Sequence, residues 1–411
     1  MTAETVPTPA ELLARADALR PRLVAEQAEV EERTYYSEEM HGAFREAGFY
    51  RILVPRRYGG FEHDLPTFWK VVVAIARGCP STAWCLCLAA GHALQAGSWF
   101  GEEAQDDFFA TGEFLCPGVA APVGTAARTE DGWELDAVHP YSSGAPYANW
   151  YMGQTFTPDG RTLLFIAPRS AWTMLDDWRG ALGLRGSGSH SVRFDHARIP
   201  ARYALEDMWM VDVNVDRPTP GYLLHGNPMY AGRTLAFFQG ELSAITIGAV
   251  KGAIDEYEQL VRTRKTQRPP IVPRYQDPDY QRWLGLAIGR VATAEAALVQ
   301  CGEQWTELCR RGMEEGPPFS REEDLRLNIV GREAMALAWN AMQDLVYRTA
   351  GSSAARAGQR MERLYRDTSM AWGHFTTLAG DWTARELAKE RFGLVGTAPR
   401  PDAEYYERRG S

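Results

Sequence analysis

The chain has 411 residues, 45% of them hydrophobic and 24% charged, with a net charge of −9. That composition is ordinary for a globular protein of two or three packed units, and the acidic balance argues against a nucleic-acid partner. No run of about 18 apolar residues is evident, so no membrane span is expected.

The first thirty residues are charged and lack an apolar stretch ahead of a small-residue cleavage site, so a cytoplasmic location is expected. The six cysteines show no metal-ligand spacing and read as buried free thiols. The eight histidines include no H-E-x-x-H pattern, so no metal is expected.

In chain order, three zones differ. From Pro9 to about Gly112 the pattern is helical. "ELLARADALRPRLVAEQAEVEERTYY" carries apolar residues at three- and four-residue spacing. "SEEMHGAFREAGFYRI" opens at Ser37, a predicted N-cap, and closes at Gly48, a predicted C-cap. "LPTFWKVVVAIARGC" and "PSTAWCLCLAAGHALQAGSWF" are more apolar and predict buried helices.

Short runs with turn signals follow, including Asp131-Gly132 and Pro158-Asp159-Gly160, and predict a small antiparallel barrel or sandwich. From about Asn227 the chain is helical again. Four long segments, near 229–265, 276–312, 321–352 and 360–391, are joined partly by proline-rich turns and predict an antiparallel bundle. The expected units are therefore 1–112 (helical), 113–226 (β) and 227–411 (four-helix bundle and tail), in an α+β chain. No internal repeat and no GxGxxG fingerprint is present.

Helices, then a β-unit, then a four-helix bundle is the order of the acyl-CoA dehydrogenase fold. Four stretches resemble one branch of it, the two-component (class D) flavin-dependent monooxygenases, such as the 4-hydroxyphenylacetate 3-hydroxylase and secosteroid phenol hydroxylase oxygenases. These are "AFREAGFYRILVPRRYGG", "YSSGAPYANWY", "GLRGSGSHSVRFDHARIP" and "YRTAGSSAARAGQRMERLYRDTSMAWGH". The resemblance spans about residues 10 to 395. It implies an oxygenase that takes diffusible reduced FMN or FAD from a separate NAD(P)H-flavin reductase and forms a C4a-hydroperoxide with O2. The distal oxygen would then pass to a phenol or other electron-rich aromatic; N- and S-oxygenation also occur among relatives. A homotetramer is implied as well.

The sibling chemistry, acyl-CoA dehydrogenation, needs a carboxylate base to take the α-proton. Its usual glutamate follows a tyrosine some eight or nine residues after an Arg-Asp pair. Here the pair is Arg366-Asp367, and His374 and Phe375 stand at the later site. The alternative site, before an arginine early in the first bundle helix, holds Gly232 before Arg233.

The resemblance also assigns roles. Ser143 aligns with a flavin-contacting hydroxyl and is expected to donate to flavin N5, with Tyr141 and Ser142 on the same passing strand. Alternation along a strand would turn Ser142 to the opposite face. The competing reading is a turn whose serines satisfy backbone groups. His92 would accept the substrate hydroxyl proton, since imidazole titrates near pH ~6.5; the alternative is a satisfied core histidine. His374 would stabilise developing peroxide charge as an imidazolium. Arg264, with Arg262 an equal alternative, would hold the anionic flavin or its phosphate. Ser352 would meet the phosphate across a subunit boundary. Ser189, with Ser187, would line the flavin edge, or simply form a tight turn.

Overall fold

The computed structural model describes residues 6–314 and 316–394, so the end of the expected tail lies outside the described residues. The N-terminal zone holds α1 (Pro9–Ala25), α2 (Gln27–Arg33), α3 (Glu38–Ala47), α4 (Leu65–Gly78), α5 (Pro80–Ala90), α6 (Ala93–Trp99) and α7 (Glu102–Phe108). Ser37 caps α3 by accepting from the Met40 N–H, and Gly48 ends it with φ 80°, both as the sequence predicts. Helix α5 is apolar on nearly every face and buried accordingly. The expected single helix through "PSTAWCLCLAAGHALQAGSWF" breaks after Ala90. Gly91 and His92 form a turn there before α6.

The middle zone holds β1 (Gly118–Val119), β2 (Thr125–Arg128), β3 (Gly132–His139), β4 (Trp150–Phe156), β5 (Thr162–Pro168), β6 (Thr173–Met174), β7 (Val192–Pro200) and β8 (Ala204–Glu206). They form one sheet in the order β6-β7-β3-β2-β4-β5-β8, with β1 paired to β4. It is mixed rather than purely antiparallel, because β1 and β2 pair with β4 in parallel. Strands β4 and β5 are buried on both faces, and their near-continuous apolar runs reflect it. Strands β3 and β7 alternate, leaving one face to solvent.

After α8 (Pro220–His225), the bundle is built from α9 (Leu235–Thr263), α10 (Pro278–Met313), α11 (Arg321–Ala341) with its extension α12 (Arg348–Ala350), α13 (Arg360–Trp372) and α14 (Phe375–Arg391). A π-helical stretch, Met342–Tyr347, joins α11 to α12. The predicted fourth helix is thus two helices, broken at Gly373-His374.

The bundle docks on the N-terminal zone through α9. A Cβ on Gly240 would lie 2.1 Å from the Trp69 ring, and one on Gly248 would lie 2.4 Å from the Val73 carbonyl oxygen. The two helices approach this closely because glycine has no side chain to separate them. One window of α10 is long and apolar enough to cross a membrane, a feature the sequence reading does not anticipate. Only 28% of that window is buried within the chain.

Candidate active site

Two helix breaks and two turns meet at one place. The stretch 140–149, expected as a strand, is a turn. Strand β3 stops at His139, a 3-10 turn runs from Ala145 to Tyr147, and β4 starts at Trp150. Tyr141 and Gly144 have left-handed backbones, φ 57° and 91°. Side-chain alternation therefore does not apply, although Ser142 and Ser143 still diverge. Ser142 turns back into the sheet, where its hydroxyl donates to the His139 carbonyl at 3.0 Å and meets the Tyr151 hydroxyl at 2.9 Å. Tyr141 is 65% exposed and packs edge-on against Trp178. Neither side chain joins Ser143.

Ser143 faces inward. Its Oγ accepts from Trp84 Nε1 at 2.9 Å and lies 2.7 Å from Ser189 Oγ, which in turn lies 2.6 Å from Ser187 Oγ. With Ser189 donating, both lone pairs of Ser143 are filled and its own proton is free for a ligand. The two turns close on α5 because they carry glycine. A Cβ on Gly144 would lie 2.8 Å from the Cys85 carbonyl oxygen, and one on Gly188 would lie 2.7 Å from Pro146. Both residues have positive φ.

The turn bearing Ser187 and Ser189 is held by Asp367, whose carboxyl accepts from the Leu184 N–H at 2.6 Å and from the Ser81 hydroxyl at 3.0 Å. Burial pushes that carboxyl up to about 7. The Arg-Asp pair, a landmark in the sequence, is thus a clamp joining α13, α5 and the serine turn. Its neighbour Arg366 pairs with Glu31 at 2.8 Å and bonds the Leu182 carbonyl.

His92 projects from the α5–α6 break and is 4% exposed. Its Nδ1 lies 2.7 Å from the Cys116 carbonyl oxygen. A carbonyl can only accept, so Nδ1 carries the proton and Nε2 presents a lone pair. The ring packs on Phe238 of α9 at 5.9 Å. Burial holds His92 down at about 4, so it is neutral at pH 7.

His374 caps α14 from the other break. Its Nδ1 accepts from the Thr376 N–H at 3.3 Å, which places its proton on Nε2. Its ring stands edge-to-face with Trp84 at 5.5 Å. Packing holds it down at about 4 as well. In the free chain it is therefore a neutral N–H donor, not the imidazolium the sequence reading expects. Trp84, which joins Ser143 to His374, reads from the sequence only as one aromatic of the apolar helices, alongside Trp99 and Phe100. Its indole in an otherwise apolar helix is the only signal for it.

Arg264 and Ser352 do not join this group. Arg264 lies at the end of α9, about 18 Å of helix beyond Gly252 at ~1.5 Å per residue. Gly252 itself packs on the Arg77 carbonyl, just before α5. The Arg264 guanidinium donates to Ser353, next to the exposed Ser352. The alternative base position also lies elsewhere. Gly232 sits under the Trp305 ring, and Arg233 bonds the carbonyls of Phe319 and Val213. The α9 residue that reaches His92 is Phe238. Among the described residues, no group of three or more His, Cys, Asp or Glu side chains is arranged to hold a metal.

The comparisons agree with this architecture. The models "Acyl-CoA dehydrogenase, N-terminal domain" and "Acyl-CoA dehydrogenase, C-terminal domain" match residues 14–111 and 241–378. A pigment production hydroxylase from Rhodococcus sp. is 28% identical, covering 89% of this chain and 92% of its own. The oxygenase subunit HsaA of a flavin-dependent monooxygenase from Rhodococcus jostii is 27% identical, covering 86% and 91%. The crystal structure of XiaF from Streptomyces sp., in complex with FADH2 and glycerol, superposes with a TM-score of 0.84 at 21% identity, covering 96% of this chain and 98% of that one.

The inward-facing Ser143 hydroxyl, the glycine-closed turns and the Trp84 wall fit a flavin ring. The chain belongs to the acyl-CoA dehydrogenase family and, within it, to the oxygenase components of the two-component flavin-dependent monooxygenases.

Proposed function

We propose that this oxygenase hydroxylates a phenol or similarly electron-rich aromatic, using reduced FMN or FAD delivered by a separate NAD(P)H-flavin reductase. One observation carries the reading. Two neutral histidines present opposite tautomers, His92 offering an acceptor and His374, beside Trp84 and Ser143, a donor. Reduced flavin, when bound, supplies the electrons that let one oxygen atom of O2 pass to the ring. Ser143 and Ser189 would hold its ring edge. His92 Nε2 accepts the substrate hydroxyl proton, which raises electron density at the ortho carbon. His374 Nε2–H donates to the reduced oxygen. Buried Trp84, half-buried Phe238 and the α5 backbone keep bulk water away.

The same reading places Arg264 and Ser352 at a flavin phosphate in a neighbouring copy, since one chain holds them apart from Ser143. Support for a homotetramer comes from α10. Leu286 and Ile288 are exposed there, and a Cβ on Gly285 or Gly289 would meet nothing within 4 Å. An apolar face with small residues suits helix-on-helix packing between copies. The six free, buried cysteines are consistent with a reducing cytoplasm.

The test mixes the protein with chemically reduced flavin, O2 and a panel of phenols. Hydroxylated product without any nicotinamide present is expected. Flavin oxidation that yields only hydrogen peroxide across the panel would overturn the phenol assignment. Failure of reduced flavin to raise the melting temperature would overturn the site itself. Light scattering should give four chains, and Gly289→Glu should lower that number.

A further inference from the structure

One buried acid on α9 has no place in the reaction just described. Glu241 is 0% exposed. It follows Phe238 by three residues, so both side chains lie on the α9 face turned toward α5 and His92. Its Oε1 accepts weakly from the Cys87 thiol at 3.7 Å. That oxygen also presses on the backbone of Gly91, where a Cβ would lie only 2.0 Å away. Gly91 immediately precedes His92, so the helix break that presents His92 also leaves room for this carboxyl. Its Oε2 is buried with no hydrogen-bond partner among the described residues.

A buried oxygen without a partner costs about 1–3 kcal/mol or more, and such an atom in a native fold calls for a ligand or a function. Burial also pushes the carboxyl well above its usual range. Among the described residues no cation stands beside it to hold an anion.

We propose that Glu241 is a second polar anchor for the substrate, donating from its carboxylic acid to a carbonyl or hydroxyl oxygen of an aromatic that lies between α5 and α9. The inference rests on the phenol reading for the position of the ring, with His92 at one hydroxyl. It deepens that reading by naming the substrate class. The aromatic carries a second, uncharged oxygen function. A carboxylate at that end would be a buried charge without a counterion and is disfavoured.

The test compares two probes of nearly equal shape, 4-hydroxyacetophenone and 4-ethylphenol, binding to the wild-type protein in a calorimetric titration. The ketone is expected to bind about tenfold more tightly, the usual weight of one buried hydrogen bond. Glu241→Leu should erase that preference. Glu241→Gln, whose amide still donates, should retain most of it. An infrared difference spectrum should show a protonated carboxyl band that shifts on ketone binding and is missing in Glu241→Gln. This readout serves even if the leucine variant does not fold.

Equal affinity for the two probes, binding of neither, or a ketone preference that survives Glu241→Leu would overturn the proposal. If the preference holds but no phenol is hydroxylated, the phenol assignment falls and the anchor stands. If phenols are hydroxylated without the preference, the anchor alone falls.

Discussion

The two helix breaks place the same residue type with opposite polarity. At the α5–α6 break, His92 meets a backbone carbonyl, so its outer nitrogen is an acceptor. At the α13–α14 break, His374 caps a helix and meets a backbone amide, so its outer nitrogen is a donor. Nothing in the imidazole itself decides this. The backbone group behind each ring does, and the tautomer follows. A pocket with one acceptor and one donor can take a proton from a substrate hydroxyl and give one to oxygen without either group being charged beforehand.

The largest effect that could break this comparison is expected in the two alanine variants. His92→Ala should lower hydroxylated product by about 100-fold or more, the scale of a lost general base. Oxidation of reduced flavin should continue, with the electrons recovered as hydrogen peroxide. His374→Ala should instead slow the oxidation of reduced flavin by about 100-fold, as for one lost donor to a developing anion, while the product formed per flavin consumed stays near wild type. Stopped-flow absorbance and a peroxide assay separate the two. The same phenotype in both variants would end the acceptor–donor division.

A smaller effect sharpens the role of the hydroxyl chain that starts at Ser143. Ser143→Ala should lower the ratio of product to peroxide by about tenfold, and Trp84→Phe by less. The phenylalanine keeps most of the packing against His374 and removes only one N–H to Ser143. Ser142→Ala should leave the ratio unchanged, because its hydroxyl bonds only into the sheet.

The smallest effect is on acid stability. His92 is held at about 4 in the folded chain against an unperturbed value near 6.5. The unfolded chain therefore binds the proton first as pH falls. The contribution is fully present above about pH 6.5 and is lost as pH falls to about 4, on the order of 3 kcal/mol in all. Urea titrations of His92→Gln should show a flatter fall in stability over that window. An unchanged slope would mean that the ring is solvated rather than buried.

Much of the site was legible in residue order. Ser143, Ser189 and His374 stood in stretches resembling one family, and the structure joins Ser143 to Ser189 directly and to His374 through Trp84. Ser142 and Tyr141 stood in the same stretch, yet one hydroxyl is tied to the sheet and the other ring is in solvent. The left-handed turn at Tyr141 replaces strand alternation, and local periodicity could not foresee it. Trp84, Asp367 and Glu241 were less visible still. Their roles depend on partners 59, 183 and 154 positions away, at Ser143, Leu184 and Cys87.

By itself the sequence determined the zones, the caps at Ser37 and Gly48, and the absence of a carboxylate from the usual base position. Those are properties of neighbouring residues, set by periodicity and by side-chain type. Only the tertiary structure decided which nitrogen of each histidine carries the proton and which serine faces Trp84 rather than the sheet. It also decided that Arg264 lies far along the bundle from Ser143, and that a buried acid stands one turn beyond Phe238. Each of these depends on a backbone or side-chain group brought in from elsewhere in the chain, and hydrogen bonding and burial are settled only where such groups meet.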